Sequence, residues 1–359
     1  MTGRQTGHRP ESGTLLEVTD LKTHFRTPRG LVKAVDGVSF SLERGRTLGV
    51  VGESGSGKTV LSRSIMGLLG GKSLVREGSV RFEGQELIGL SAKQMRHIWG
   101  QEMAMIFQDP MSSLNPLMKI GAQIAEPLKV HLDMDAKTAK STAERLLREV
   151  RIPEAARRLE QYPHEMSGGM RQRVMIAIAL ACGPTLLFAD EPTTALDVTV
   201  QAQILDLIGE ERRERNMSVI LVTHDLGAVA GRTDEIAVMY GGKLVEKAPT
   251  ATLFANMRMP YTEALFESIP KLEEPSHSRL RTIPGRPPDL VNPPRGCPFA
   301  PRCVYARDRC YEEPPPLVPA GTPDHVYACW YPVGSPEYHE RRKELGKEDL
   351  VTVTLAEVS

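Results

Sequence analysis

Residues Val51–Thr59 read VGESGSGKT, directly after the apolar run Thr47-Leu48-Gly49-Val50. Their reading decides the fold. Glycine and serine in such density make either a loose surface turn or a loop shaped around a ligand. Here Gly52, Gly57, Lys58 and Thr59 stand at the spacing of a strand, glycine-rich loop and helix that grips a nucleotide triphosphate. Glycines let backbone N–H groups turn inward around phosphates, and the following helix points its positive end at them. Lys58 can reach the terminal phosphates, and the Thr59 hydroxyl can ligate magnesium. The stretch is therefore read as an anion cradle.

Working outward, a helix is expected from Lys58 to about Leu69, with Val60, Leu61, Ile65, Leu68 and Leu69 facing a core. Upstream, LLEVTDL, VDGVSFSL and TLGVVG read as strands, several in hairpins, and SVRFEG continues them downstream. MAMIF (Met103 to Phe107) leads into Gln108 and a proline-containing turn. From Met118 to Glu165 the composition turns helical and charged, with AKTAKSTAERLLREVRI clearly amphipathic. Strands resume at TLLFAD, SVILVT and EIAVMY, and such alternation implies a largely parallel sheet. The expected architecture is an α/β core carrying an inserted helical subdomain over about 109–165.

The bulk numbers agree with a core plus an appended piece, since 359 residues exceed the usual single-domain size. Lys and Arg total 45 against 45 Asp and Glu, so the chain carries no global electrostatic footprint for nucleic acid or an anionic membrane. No apolar run approaches the roughly 18 residues that span a bilayer, and MTGRQTGHRPESG lacks the apolar stretch of a secretory signal. The chain reads as cytosolic, free to dock on a membrane protein. Beyond about Pro249 it becomes rich in proline, as in IPGRPPDLVNPPRGCPFAPRC, and reads as a separate, loop-rich extension. Residues 1–13 and 336–359 are expected to be tails, the first of them disordered.

Two further stretches carry chemistry. LLFADEP ends a buried strand in Asp190, placed to deliver a carboxylate toward magnesium, and Glu191, placed to polarise an attacking water. MSGGMRQR opens an apolar helix with Ser167, Gly168 and Gly169, a second phosphate-binding device. One chain with two such devices either binds two ligands or shares each site with a neighbour.

Four of the five cysteines, Cys297, Cys303, Cys310 and Cys329, cluster in the extension with five, six and eighteen residues between them. In a reducing compartment such clustering favours a metal site over disulfides. The sulfurs could enclose an iron-sulfur cluster or a zinc ion; the wide gaps suit zinc less well. Cys182, before the TLLFAD strand, reads as a small buried apolar residue.

GESGSGKT, Gln108 in FQDP, SGGMRQR, LLFADEP, TALD (Thr194 to Asp197) and His224 in VTHD follow in the order and approximate spacing of the ATP-binding cassette (ABC) ATPases. The resemblance covers about Leu15 to Pro249. It implies a P-loop NTPase (RecA-like) core with an antiparallel β subdomain and the helical insertion, within a cassette of residues 14–249. Gly52, Glu53, Ser54, Gly55, Ser56, Gly57, Lys58 and Thr59 match the Walker A loop, and Asp190 and Glu191 match Walker B and the catalytic carboxylate. Gln108 matches the Q-loop glutamine, implied to help bind magnesium and to sense a membrane subunit. Ser167, Gly168 and Gly169 match the signature that clamps ATP held by the opposite subunit. Asp197 matches the D-loop, and His224 the histidine that contacts the γ-phosphate. Phe25 is the candidate to stack on adenine. Two residues depart from the common pattern: Met166 stands where leucine is commonest and Met170 replaces the usual glutamine.

SGGMRQRV, FQDPMSSLNP and VKAVDGVSFSLERGRTLGVVGESGSGKT further resemble the ATPase subunits of dipeptide and oligopeptide importers, which implies ATP-driven uptake of peptides, with nickel or another small solute as the alternative cargo and a non-transport ABC ATPase as the remaining alternative. That branch carries a similar cysteine-bearing extension, here residues 250–335, and the resemblance points to a 4Fe-4S cluster, with zinc the alternative. It also implies ATP and Mg2+ as ligands, two membrane permease subunits, a second and non-identical ATPase subunit, an extracytoplasmic substrate-binding protein, and a place on the cytoplasmic face of the membrane. No nucleic-acid partner is expected.

Overall fold

The computed structural model describes residues 13–194, 196–269 and 283–346. The expected disordered N-terminal tail lies outside the described residues up to position 12, as do 347–359 of the C-terminal tail.

Thr14–Thr27 (β1) and Gly30–Glu43 (β2) form a long hairpin, which Leu74–Phe82 (β4) and Gln85–Glu86 (β5) extend in the order β2-β1-β4-β5. This antiparallel sheet reads as an alternation of buried and exposed residues, as a sheet with one covered face requires. The second sheet runs from Val318–Pro319 (β11), Val326–Tyr327 (β12) and Lys243–Pro249 (β10) through Glu235–Tyr240 (β9), Thr47–Val51 (β3), Ser218–Thr223 (β8) and Leu186–Asp190 (β7) to Met103–Ile106 (β6). Its centre is β3, β6, β7, β8 and β9, all mutually parallel. Every residue of β3, β6, β7 and β8 is buried, which explains the continuous apolar runs: parallel strands are covered on both faces. Lys243–Pro249 (β10) returns antiparallel to β9.

The helix after β3 spans Lys58–Ile65 and stops short of the expected Leu69. Leu61 and Ile65 are buried, Leu68 is exposed, and Gly67 adopts a positive φ of 66° that no longer continues a right-handed helix. The helical insertion contains Ile120–Leu132 and Ala136–Glu149, the latter capped by Asp135, which accepts from the N–H groups of Lys137 and Thr138. Its Ala139, Ala143, Leu146 and Leu147 are buried at helical spacing.

The extension is more integrated than its proline content suggested. Val318–Pro319 (β11) and Val326–Tyr327 (β12) add two short strands to the edge of the main sheet, with Glu246 opposite Tyr327. The expected C-terminal tail also holds a helix, Pro336–Glu344, capped by Ser335. Its Tyr338 is fully buried against Tyr305, and its hydroxyl donates to Glu263. Among the described residues no helix is long and apolar enough to cross a membrane.

Candidate nucleotide site

β3, β7 and β8 end side by side, and the loops that leave their carboxyl ends bring the sequence-predicted residues together. Gly52 and Gly57 are required by space as well as by conformation. A Cβ on Gly52 would lie 2.2 Å from the Met239 carbonyl oxygen, and one on Gly57 2.2 Å from that of Ala34. The loop closes with Ser56 N–H donating to Glu53 O at 3.1 Å, and Gly242 N–H donates to Ser56 O at 3.0 Å.

Lys58 is buried, and its ammonium donates to the carbonyls of Gly52 (2.7 Å) and Glu53 (3.0 Å). Burial lowers its pKa from the ordinary lysine value, opposed by Glu191, Asp190 and Glu53. Its Nζ stands 3.9 Å from Glu191 Oε1. Thr59, one residue on, donates its hydroxyl to Asp190 Oδ1 at 2.9 Å.

Asp190 is fully buried at the end of β7, and burial pushes its carboxyl above the usual aspartate range. Its second oxygen, Oδ2, has no hydrogen-bond partner although it is shut off from solvent. An orphaned buried carboxylate oxygen beside a threonine hydroxyl is a hard, oxygen-only donor set, and it fits Mg2+.

Glu191 is the hub. It adopts a positive φ of 46°, unusual for a side chain with a Cβ, and its N–H is tied to Val222 O at 2.9 Å on β8. Oε2 accepts from Gln108 Nε2 at 2.9 Å and from the Thr194 hydroxyl at 3.1 Å, and lies 3.5 Å from His224 Nδ1. The hydrogen bond with His224 lowers the Glu191 pKa and raises that of His224. Glu191 is thus a carboxylate held between cationic groups, with Gln108 from the end of β6 and His224 from the end of β8 at its side. Thr194, which completes this cluster, is the first residue of TALD, but the sequence reading gave a role only to Asp197 of that motif; a threonine in a turn carries no distinguishing signal.

Ser167 and Gly168 lie elsewhere, exposed at the start of the helix Gly168–Leu180, where the Ser167 Oγ accepts from Met170 N–H. Their neighbours are Leu196, within 3.6 Å of a Cβ built on Gly168, and Val200, within 3.1 Å of one built on Gly169. Asp197 caps the helix Val198–Arg215 through Val200 N–H. Met166 is buried in the core, so its departure from leucine keeps an apolar anchor. Phe25 is half-buried on β1, opposite Val32 and Leu74.

In the extension, Cys297, Cys303, Cys310 and Cys329 all line one cavity, together with Phe299 and Trp330. Burial pushes the Cys297 thiol up to about 11 and that of Cys303 to about 12. Among the described residues no group of three or more His, Cys, Asp or Glu side chains is arranged to hold a metal ion, so the geometry gives no support to the expected cluster or zinc at these cysteines. Cys182 is half-buried, its thiol pushed up to about 11 by burial.

Comparisons with known proteins give the family. A family described as "ABC transporter" matches residues 35–194, and "Oligopeptide/dipeptide transporter, C-terminal region" matches 245–310. The oligopeptide transport ATP-binding protein OppD of Haemophilus influenzae is 50% identical over 300 residues, covering 84% of this chain and 92% of that protein. Its Bacillus subtilis namesake is 51% identical over 304 residues, covering 84% and 85%. Among solved structures, a dimeric bacterial ABC transporter cassette aligns with a TM-score of 0.59 at 25% identity, covering 66% of this chain and 99% of that one. A dimeric cassette in a post-hydrolysis state bound to ADP and Pi aligns at 0.60 and 24%, covering 66% and 99%, and shares the fold.

Proposed function

The chain belongs to the ABC transporter ATPases, and from that premise we propose that it is the ATP-hydrolysing subunit of an importer of oligopeptides. The observation that carries the reading is the convergence of Lys58, Gln108, Glu191 and His224 at the carboxyl ends of adjacent parallel strands. The peptide cargo is supported by relatives near 50% identity that are named for oligopeptide transport, and by the matching C-terminal region.

In this reading the loop of Gly52 to Thr59 wraps the triphosphate, and Lys58 exchanges its carbonyl and carboxylate partners for phosphate oxygens. Thr59 and Asp190, with Gln108 beside them, would hold Mg2+, which when bound neutralises phosphate charge. Glu191 orients and deprotonates the attacking water, and His224 contacts the γ-phosphate. Ser167, Gly168 and Gly169, at the start of the helix Gly168–Leu180, close on ATP held by a second cassette. Two permease subunits, a homologous ATPase partner and an extracytoplasmic binding protein complete the system, placing this chain at the cytoplasmic face of the membrane. The test is reconstitution with the permeases and the binding protein of its transport system. Peptide should stimulate ATPase activity and labelled-peptide uptake, and Lys58→Ala should abolish both. Peptide-independent ATPase with no uptake would overturn the assignment.

For the extension, the same reading assigns a 4Fe-4S cluster to Cys297, Cys303, Cys310 and Cys329. What supports this reading is that all four thiols line one cavity and that their spacing of five, six and eighteen residues is wider than compact zinc sites use. Anaerobic purification should give about four iron and four sulfide per chain; stoichiometric zinc without sulfide would refute the assignment.

A further inference from the structure

The cysteine-bearing extension grips the phosphate loop directly. Arg302 immediately precedes Cys303, and its buried guanidinium forms a two-pronged pair with the carboxylate of Glu53, the second residue of the loop. Nη1 lies 2.5 Å from Oε2 and Nη2 2.9 Å from Oε1. The guanidinium is itself fixed, donating from Nε to Pro284 O at 2.8 Å and from Nη1 to the Tyr240 hydroxyl at 3.2 Å. A second anchor reaches the same loop residue: Tyr261, on the helix Pro260–Glu267, accepts from the Glu53 N–H at 2.8 Å.

A carboxylate inside a loop that must close around a polyanion works against binding, because it repels phosphate. Arg302 neutralises that charge and holds it aside, leaving Lys58 and the loop N–H groups to define the field. Arg302 cannot move independently of the cysteines. It lies in the tight turn Ala300–Arg302, where Arg302 N–H and Cys303 N–H both donate to Phe299 O, at 2.9 Å and 3.0 Å. Cys297, Phe299 and Cys303 line the four-cysteine cavity. One short rigid turn therefore has the cavity on one side and Glu53 on the other.

We propose that Arg302 is a positioning residue for the phosphate-binding loop, and that through it the nucleotide site and the four-cysteine cavity are coupled. Nucleotide at one protects the other. The proposal rests on the ATPase reading above but not on which inorganic group the cysteines hold. Coupling of this kind is reciprocal, so an effect of the cysteine site on ATP affinity appears equally as an effect of ATP on the cysteine site.

The experiment uses the assembled transporter carrying Glu191→Gln, so that ATP–Mg stays bound. The readout is loss of iron-dependent visible absorbance to a chelator or, if the protein purifies without iron, alkylation of the four cysteines mapped by mass spectrometry. Saturating ATP–Mg should slow either process by roughly fivefold or more. Arg302→Met should remove the protection and raise the Kd for ATP about tenfold, with Arg302→Lys intermediate. Adding Glu53→Gln to Arg302→Met should recover much of the ATP affinity, since no unpaired carboxylate then remains. Should Arg302→Met fail to fold, Glu53→Gln alone severs the pair and should lose the protection. Equal protection with and without the pair, or none in its presence, overturns the proposal; failure of any form to bind ATP would instead indict the ATPase reading.

Discussion

Replacing Glu191 by glutamine should separate ATP binding from ATP hydrolysis. The amide keeps the side chain's volume, and its oxygen can still accept from Gln108 and Thr194, which now stand 2.9 Å and 3.1 Å from Oε2. What disappears is the negative charge that the hydrogen bond with His224 and the nearby Lys58 hold on the group at neutral pH. A positioned general base contributes about 10²–10⁴-fold, or about 3–5 kcal/mol at 1.36 kcal/mol per decade. The kcat should fall by that factor. Binding should move the other way. Lys58 Nζ is 3.9 Å from Glu191 Oε1, an attraction of about 4 kcal/mol at an effective dielectric of about 20, and the incoming phosphate must displace it. The two carbonyls that also hold Lys58 absorb part of the release, so the Kd for ATP should stay level or tighten by up to about tenfold. Phosphate release by the assembled transporter and retention of radiolabelled ATP on the variant measure the two quantities. A kcat within tenfold of the unaltered protein, or ATP binding lost in step with hydrolysis, would refute this reasoning.

Other perturbations follow from the same geometry. Gly57→Ala forces a Cβ to within 2.2 Å of the Ala34 carbonyl at a φ of 103°, a strain of about 1–2 kcal/mol from conformation alone; ATP affinity should drop at least about tenfold, while Gly70→Ala, which meets nothing within 4 Å, should leave it unchanged. The pKa of His224 is raised from 6.5 by Glu191, so the contact's contribution is fully present below that pH and is lost as pH rises through the raised value. An NMR titration should show an imidazole midpoint above 6.5 that falls back toward 6.5 in Glu191→Gln; an unchanged midpoint would remove the pairing. Tyr338→Ala should cost about 3–5 kcal/mol in chemical denaturation, because the ring is fully buried on Tyr305; a loss below about 1 kcal/mol would mean that the helix Pro336–Glu344 is not integral to the fold.

What was legible in the sequence is what local chemistry dictates. The fully buried strands announced themselves as apolar runs, and the residues at their carboxyl ends could be named because phosphate and magnesium demand specific side chains there. The helix capped by Asp135 was equally plain from its spacing. The Arg302–Glu53 pair was not, because its members are 249 positions apart and neither arginine near a cysteine nor glutamate in a glycine-rich loop signals a partner. Proline-rich composition likewise concealed that β11 and β12 extend the main sheet, since two-residue strands have no readable period. Tyr338 was missed for a related reason: the helix around it is otherwise so polar that one buried ring leaves no stripe.

The central claim is that each reaction chamber is shared, with Ser167, Gly168 and Gly169 serving ATP held by the opposite cassette. An ATP analogue carrying a photo-crosslinker on the γ-phosphate tests it in the assembled transporter, with Lys58→Ala introduced in this chain alone. The label should still reach the Met166–Met170 segment of this chain, delivered by nucleotide on the partner's loop. Labelling of that segment that vanishes with this chain's own Lys58 would contradict the account.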